Sequence, residues 1–389
     1  MRLPTTLSLV SALALAVAGA GALADDHDRA STATPIKHVV VIFQENVSFD
    51  HYFGTYPNAR NLPGETSFTA SPRTPKVNGL ATPLDVNHHF SPLAGVDLLN
   101  NNPNSVPTNP AAPNNSKTNS LGASNPFRLS PSQALTADQG HNESPEESAY
   151  NNGRMDGFPA FVGNGTVGGK SLVMGYYDGN TVTALWNYAQ HFALNDNNYT
   201  TQFGPSTPGA LNVVSGQTNG VSAQTGVFSS TGALTNTSAQ AWGDAAHIQS
   251  NITEIGDSDP LLDVCSGTSQ QVTTGSKNIG DLLTARNITW GAFMGGFNLS
   301  IKNANGTTGC KRSSAPAANP TAFTSDYIPH HAWFQYFVST RNENHSRPRS
   351  TAAIGTGYYA GMVPEPANHN YDILDFYAVL KTPYLPAVS

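Results

Sequence analysis

Two apolar runs mark the start of the chain. The first lies within MRLPTTLSLVSALALAVAGAGALADD, apolar from about Leu7, with one early Arg2 and with Ala22-Leu23-Ala24 ahead of an acidic start. That three-part plan predicts a secretory signal peptide over residues 1–24, cleaved after Ala24, and hence a secreted or periplasmic protein. The second run, HVVVIF at residues 38–43, is followed abruptly by Gln44, Glu45 and Asn46. Its β-branched, uninterrupted apolar pattern predicts a buried strand. The polar stop is either an ordinary turn or the delivery of Glu45 and Asn46 to a site at the strand's carboxyl end, where open α/β sheets place their ligands.

Further along, runs give way to helical stripes. Ser144 followed by Glu146, Glu147, Ala149 and Tyr150 predicts a helix start with acidic residues in its first turn. In TVTALWNYAQHFALNDNNY, Leu185, Tyr188, Ala189 and Phe192 recur at helical spacing and predict a face packed on a sheet. A helix over 279–286 is expected to feed a strand over 288–293, and YDILDFYAVLKTPYLPAVS reads as a helix followed by the opening of a strand. Residues 55–135, mostly Pro, Asn, Thr and Ser, predict a long irregular excursion from the core, and 222–245 a hairpin or loop insertion. Strands alternating with helices predict an α/β sheet, in a single domain over residues 25–389.

Composition narrows the partners. Charged residues make up 12% and the net charge is -7. No basic cluster exists, and a negative chain repels phosphate backbones, so no nucleic-acid partner is expected. No stretch after the first is apolar for long enough to span a bilayer, so no stable membrane span is expected. The two cysteines, Cys265 and Cys310, are compatible with one disulfide in an oxidising compartment.

Chemistry-bearing residues cluster in a few turns. Ser206 in GPSTPGALN sits on a tight turn at a helix start, where a hydroxyl is exposed and backbone N–H groups can receive an oxyanion. An ordinary Ser-Thr-Pro turn or helix cap has the same local sequence. His141 lies in DQGHNE, and His330 and His331 form a doublet in YIPHHAWFQYF; none has zinc-motif spacing. Neutral histidines beside a phosphoryl group can donate to its oxygens or to the leaving group. No G-x-S-x-G elbow, Walker loop or dinucleotide fingerprint is present, which favours metal-assisted attack by Ser206 over a Ser-His-Asp hydrolase.

Several stretches, in order, resemble the bacterial phosphoesterase family: IKHVVVIFQENVSFDHYFGTYP, DQGHNESPEESAYNNGRMDGF, FGPSTPGALNVVSGQT, IGDSDPLLDVCS, and HHAWFQYFVSTRNENHSRP with NHNYDILDFYAVLKTPYLPAVS. That family includes exported phospholipases C and acid phosphatases with an alkaline-phosphatase-like α/β fold. The resemblance implies a mixed sheet sandwiched by helices, with long loop insertions. It places a divalent metal ion (Ca, Mg, Mn or Zn) on Glu45 and Asn46, the nucleophile on Ser206, and the phosphate pocket at His141, His330 and His331. The expected activity is hydrolysis of a phosphate ester or phospholipid through a phosphoserine intermediate. Pro208-Gly209-Ala210 after the serine resembles the acid phosphatase branch; phospholipase C, releasing a phosphorylated headgroup, is the alternative.

One departure from the family pattern is large. The family carries an Asp-Asp-Ser-Asp-Gly stretch well after the segment matching Leu385-Pro386-Ala387-Val388-Ser389, and its acidic pair completes the metal site. The sequence therefore predicts that the C-terminal part of the family fold is missing, that the metal site is incomplete, and that activity is weak or absent. It also predicts a final strand with an open edge. A truncated, inactive protein that binds phosphate or a glycan is the alternative from another class.

Overall fold

The computed structural model describes residues 32–75, 77–80, 97–105, 123–200, 202–225, 248–267, 270–317, 319–359 and 363–389. The expected signal peptide, parts of the 55–135 excursion and the centre of the 222–245 insertion lie outside the described residues. The elements that position the site are, in chain order, helices α1 (Phe49–Phe53), α2 (Glu143–Tyr150), α3 (Thr183–His191), α4 (Ser206–Ser215), α5 (Ile279–Thr284) and α6 (Ile373–Val379). The corresponding strands are β1 (Val221–Thr225), β2 (Ile248–Ile252), β3 (Asp259–Pro260), β4 (Gln270–Thr274), β5 (Ala292–Met294) and β6 (Asn370–Asp372). The protein is mixed α/β, with its strands in small sheets.

Local sequence accounts for several boundaries. Asn278 accepts from the Asp281 N–H while Asp281 accepts from the Asn278 N–H, a capping box that starts α5. Asp372 and Asp375 do the same for α6. Helix α4 ends at Gly216, whose φ of 71° is the left-handed conformation that glycine adopts without strain.

Strands β2, β1, β4 and β3 form one sheet in that spatial order. Strand β1 is antiparallel to β4, with Val221 opposite Thr274 and Ala223 opposite Val272, and antiparallel to β2. The start of the expected 222–245 insertion thus pairs with residues 248–252 beyond it, and the rest of the insertion lies outside the described residues. Strand β3 is parallel to β4, with Asp259 opposite Gln271. A second, parallel group is built around the last residues. Val388 bridges Val39 on one side and Trp290 on the other, and β5 pairs in parallel with β6.

Helix α4 is locked where these groups meet. Its Ala210, Leu211 and Val214 pack on Val221, Ala223, Val272, Trp290, Phe334, Tyr336 and Phe337 in one buried cluster. A side chain as fully buried as Leu211 contributes about 2 kcal/mol. The first turn of α4 is therefore fixed relative to both groups of strands.

Three expectations are corrected. The run 38–43 is not a buried strand: Val39, Val40, Val41 and Phe43 are exposed and Ile42 is 82% exposed. Among the described residues only one of its edges is paired, through Val39 N–H to Ala387 O, Ser389 N–H to Val39 O, and Val41 N–H to Ser389 O. Among the described residues the open edge therefore belongs to the 38–43 run, while Val388, in the expected final strand, has a bridge partner on each side. Of the stripe Leu185, Tyr188, Ala189 and Phe192, Ala189 packs on the core but Tyr188 and Phe192 are 62% and 72% exposed. Trp186 is buried instead, edge-on to Tyr56 and Phe68 at 5.1 Å each, so part of the 55–135 excursion supplies core.

Cys265 and Cys310 form a disulfide. Among the described residues no helix is long and apolar enough to cross a membrane.

Candidate functional site

The turn before α4 is held by α2 through two contacts. Gly204 has a φ of 114°, open to glycine but strained for other residues, and its N–H donates to Glu146 Oε2 of α2 at 2.8 Å. Phe203 packs against Tyr150 of the same helix at 5.3 Å. Burial raises the Glu146 pKa against the hydrogen bond from Gly204 and the charge of His141.

Ser206, the first residue of α4, is 7% exposed, and its hydroxyl donates to Glu45 Oε1 at 2.9 Å. His331 Nε2 meets the same oxygen at 2.9 Å. The His331 hydrogen bond, with smaller help from Ser206 and His141, holds the Glu45 pKa below the usual carboxylate value despite partial burial. Both contacts fall on Oε1, so Glu45 Oε2 has no partner among the described residues. Asn46 follows, and its side-chain amide makes no hydrogen bond among the described residues.

The histidine doublet divides its work. His330 packs edge-to-face on His331 at 4.7 Å and sits between two carboxylates, Nε2 at 3.5 Å from Asp257 Oδ2 and Nδ1 at 3.3 Å from Asp259 Oδ1. Burial alone would lower its pKa. The Asp259 hydrogen bond and the charges of Asp257, Asp259 and Glu45 outweigh burial and raise it. Asp257 Oδ1 also accepts from the Thr207 N–H at 3.2 Å. The buried Thr207 hydroxyl lies within reach of Ser258 O, Tyr336 OH and Asp257 Oδ1, at 2.9, 3.0 and 3.2 Å. A cavity of about 600 Å³ opens beside Asp257, walled by residues 252–258 and Gln270.

His141 approaches from the α2 side. Its Nδ1 is 2.9 Å from the Gln139 carbonyl, which only accepts, so Nδ1 carries the proton there. Its Nε2 has no partner among the described residues, and the ring is close enough for its charge to act on Glu45 and Glu146.

The structure thus joins Glu45, Ser206, His331 and His330 directly, puts Asn46 next to Glu45, and holds His141 within electrostatic range. Asp257, Asp259 and Thr207 had no expected role, and Glu146 was expected only as an acidic residue in a helix's first turn. The alternation Asp257-Ser258-Asp259 was the available signal, because extended backbone points residues i and i+2 to one side.

A second cluster lies elsewhere. Asp263, Cys265 and His345 bring potential ligand atoms within 4.8 Å of one another and so suggest a metal ion. The Cys265 sulfur is committed to the disulfide and offers no thiolate. The buried Asp263 carboxylate already accepts from Tyr327 OH (2.6 Å), Gln335 Nε2 (2.6 Å), the Cys265 N–H (2.8 Å) and His345 Nε2 (3.0 Å). Those contacts describe a satisfied structural hub.

Compared with known proteins, residues 36–353 match the model of a family described as the phosphoesterase family. No curated protein matches the chain.

Proposed function

The chain belongs to the phosphoesterase family, and from that membership we propose that it is a phosphoric ester hydrolase of acid phosphatase type in which Ser206 is the nucleophile. The observation that carries the proposal is the Ser206–Glu45–His331 chain, two 2.9 Å contacts on one carboxylate oxygen at the start of a ten-residue helix. Ser206 Oγ forms a bond to phosphorus as the ester P–O bond breaks. Its proton passes to the Glu45 carboxylate. The departing alcohol takes a proton from Nε2 of His141 in its imidazolium form, the ring being oriented by Gln139 O. Water then cleaves the phosphoserine with these roles reversed, giving inorganic phosphate.

Family membership also suggests a divalent ion. The donors fit a hard cation: Glu45 Oε2 and the Asn46 amide are uncommitted, and both offer oxygen, suiting Ca, Mg, Mn or Zn. Glu45 and Asn46 would hold it, and when bound it would lower the pKa of a nearby hydroxyl and polarise the phosphoryl group. With one carboxylate in that set, affinity is expected to be weak. An alkaline-phosphatase-like architecture and export into an oxidising compartment are part of the same proposal; the Cys265–Cys310 disulfide supports export.

The test is hydrolysis of p-nitrophenyl phosphate and p-nitrophenylphosphorylcholine by residues 25–389 with added divalent ions, beside Ser206→Ala. Monoester turnover that disappears in the variant is expected. Turnover of the choline ester would move the assignment to phospholipase C. Phosphate binding without turnover, unchanged in Ser206→Ala, would replace the enzyme by a binding protein.

A further inference from the structure

The loop leading into β3 does more than border the cavity. Asp257 uses one oxygen on the Thr207 N–H, the amide next to Ser206, and the other on His330 Nε2. Asp259, two residues on, takes His330 Nδ1. Both nitrogens of one imidazole therefore face carboxylates, which only accept, and a neutral imidazole has a single N–H to give. The main chain of His330 is tied to the same loop, since Tyr336 OH lies within donating distance of both His330 O at 3.1 Å and Ser258 O at 3.0 Å. Among the described residues, the remaining charged or titratable groups facing His330 are Glu45, across the site, and its neighbour His331.

We infer that Asp257 and Asp259 are positioning residues that keep His330 as a fixed cationic donor beside Ser206, with Asp257 setting its register against the first turn of α4. The Asp259 contact is the shorter and anchors the ring. Nε2, on the longer contact, is the nitrogen an incoming phosphoryl oxygen takes, and its N–H is then shared between that oxygen and Asp257. Phosphate thus meets a positive group whose charge persists above the usual histidine range. This rests on the reading of the Ser206 cluster as a phosphoryl site.

The experiment measures inorganic phosphate binding by calorimetry at pH 5.5 and pH 8, for the wild type, Asp259→Asn, Asp257→Asn and His330→Gln. At pH 8 Asp259→Asn should bind about tenfold more weakly, the weight of one hydrogen bond to a charged group. At pH 5.5 it should approach wild type, because acid restores the cation that Asp259 otherwise maintains. His330→Gln should be weak at both pH values. Asp257→Asn should follow Asp259→Asn and, in addition, lower kcat, because the Thr207 amide is released. An equal loss at both pH values in Asp259→Asn would mean a merely structural role and would overturn the inference, as would unchanged binding at pH 8 or a wild type that binds no phosphate. Retained hydrolysis in Ser206→Ala would instead sink the nucleophile assignment and leave the binding result to stand by itself.

Discussion

Opening the Cys265–Cys310 disulfide should destabilise the fold by a calculable amount. The bridge spans a sequence separation of 45 residues. In the chain-entropy picture, a loop of that length restricts the unfolded ensemble by about 4 kcal/mol at 25 °C. The segment it closes includes β4, α5 and β5, whose folded contacts are not expected to change. The perturbation is the double variant Cys265→Ser with Cys310→Ser, which avoids a lone thiol. Equilibrium urea unfolding should show a midpoint lowered by about 1.3 M if m is about 3 kcal/mol/M. The m-value should rise slightly as the unfolded chain expands. Mass spectrometry of the alkylated wild type should find neither cysteine modified. A midpoint shift below about 0.3 M, with the wild-type disulfide verified, would refute the loop-entropy argument. It would mean that the segment is already restrained in the unfolded state.

Two further outcomes are expected. Burial raises the Asp50 pKa to about 6, above its unfolded value of about 4. The folded state therefore favours the protonated form, and Asp50 opposes folding increasingly as pH rises from about 4 through 6, by about 3 kcal/mol. Asp50→Asn should raise the Tm at pH 7.5, leave it nearly unchanged at pH 4, and flatten the profile between; an equal gain at both would contradict this. Asp263→Asn places an amide donor among Tyr327 OH, Gln335 Nε2 and His345 Nε2. It should cost about 3–5 kcal/mol in urea unfolding, and a loss below about 1 kcal/mol would show the hub to be dispensable.

Parts of the molecule with local causes were legible in the sequence. The acidic start of α2, the start of α5 and the turn before Ser206 are written within a few residues, and so is the arrival of Glu45 after an apolar run. What failed depended on distant partners. Trp186 was passed over for Tyr188 and Phe192 because the helical stripe gives no hint of what covers each side. Its covering residues, Tyr56 and Phe68, sit in a segment that composition marks as irregular. The Val39–Phe43 run looked buried because β-branched alternation-free sequence is common to strands with two covered faces. Beyond their alternation, Asp257 and Asp259 have no local mark to set them apart, because what defines them is His330, about 70 positions later, lying between them.

The wedge formed by residues 387–389 between Val39 and Trp290 has a kinetic consequence. Among the described residues the 38–43 run that leads to Glu45 is bridged only to Val388, and His38 reaches Pro386 across 348 positions of sequence. Contacts of such separation form late, because the intervening chain must be ordered before they are rewarded. Glu45 therefore comes to rest beside Ser206 only after both groups of strands have condensed. During synthesis, the helix bearing the serine can be in place while its carboxylate partner is still adrift.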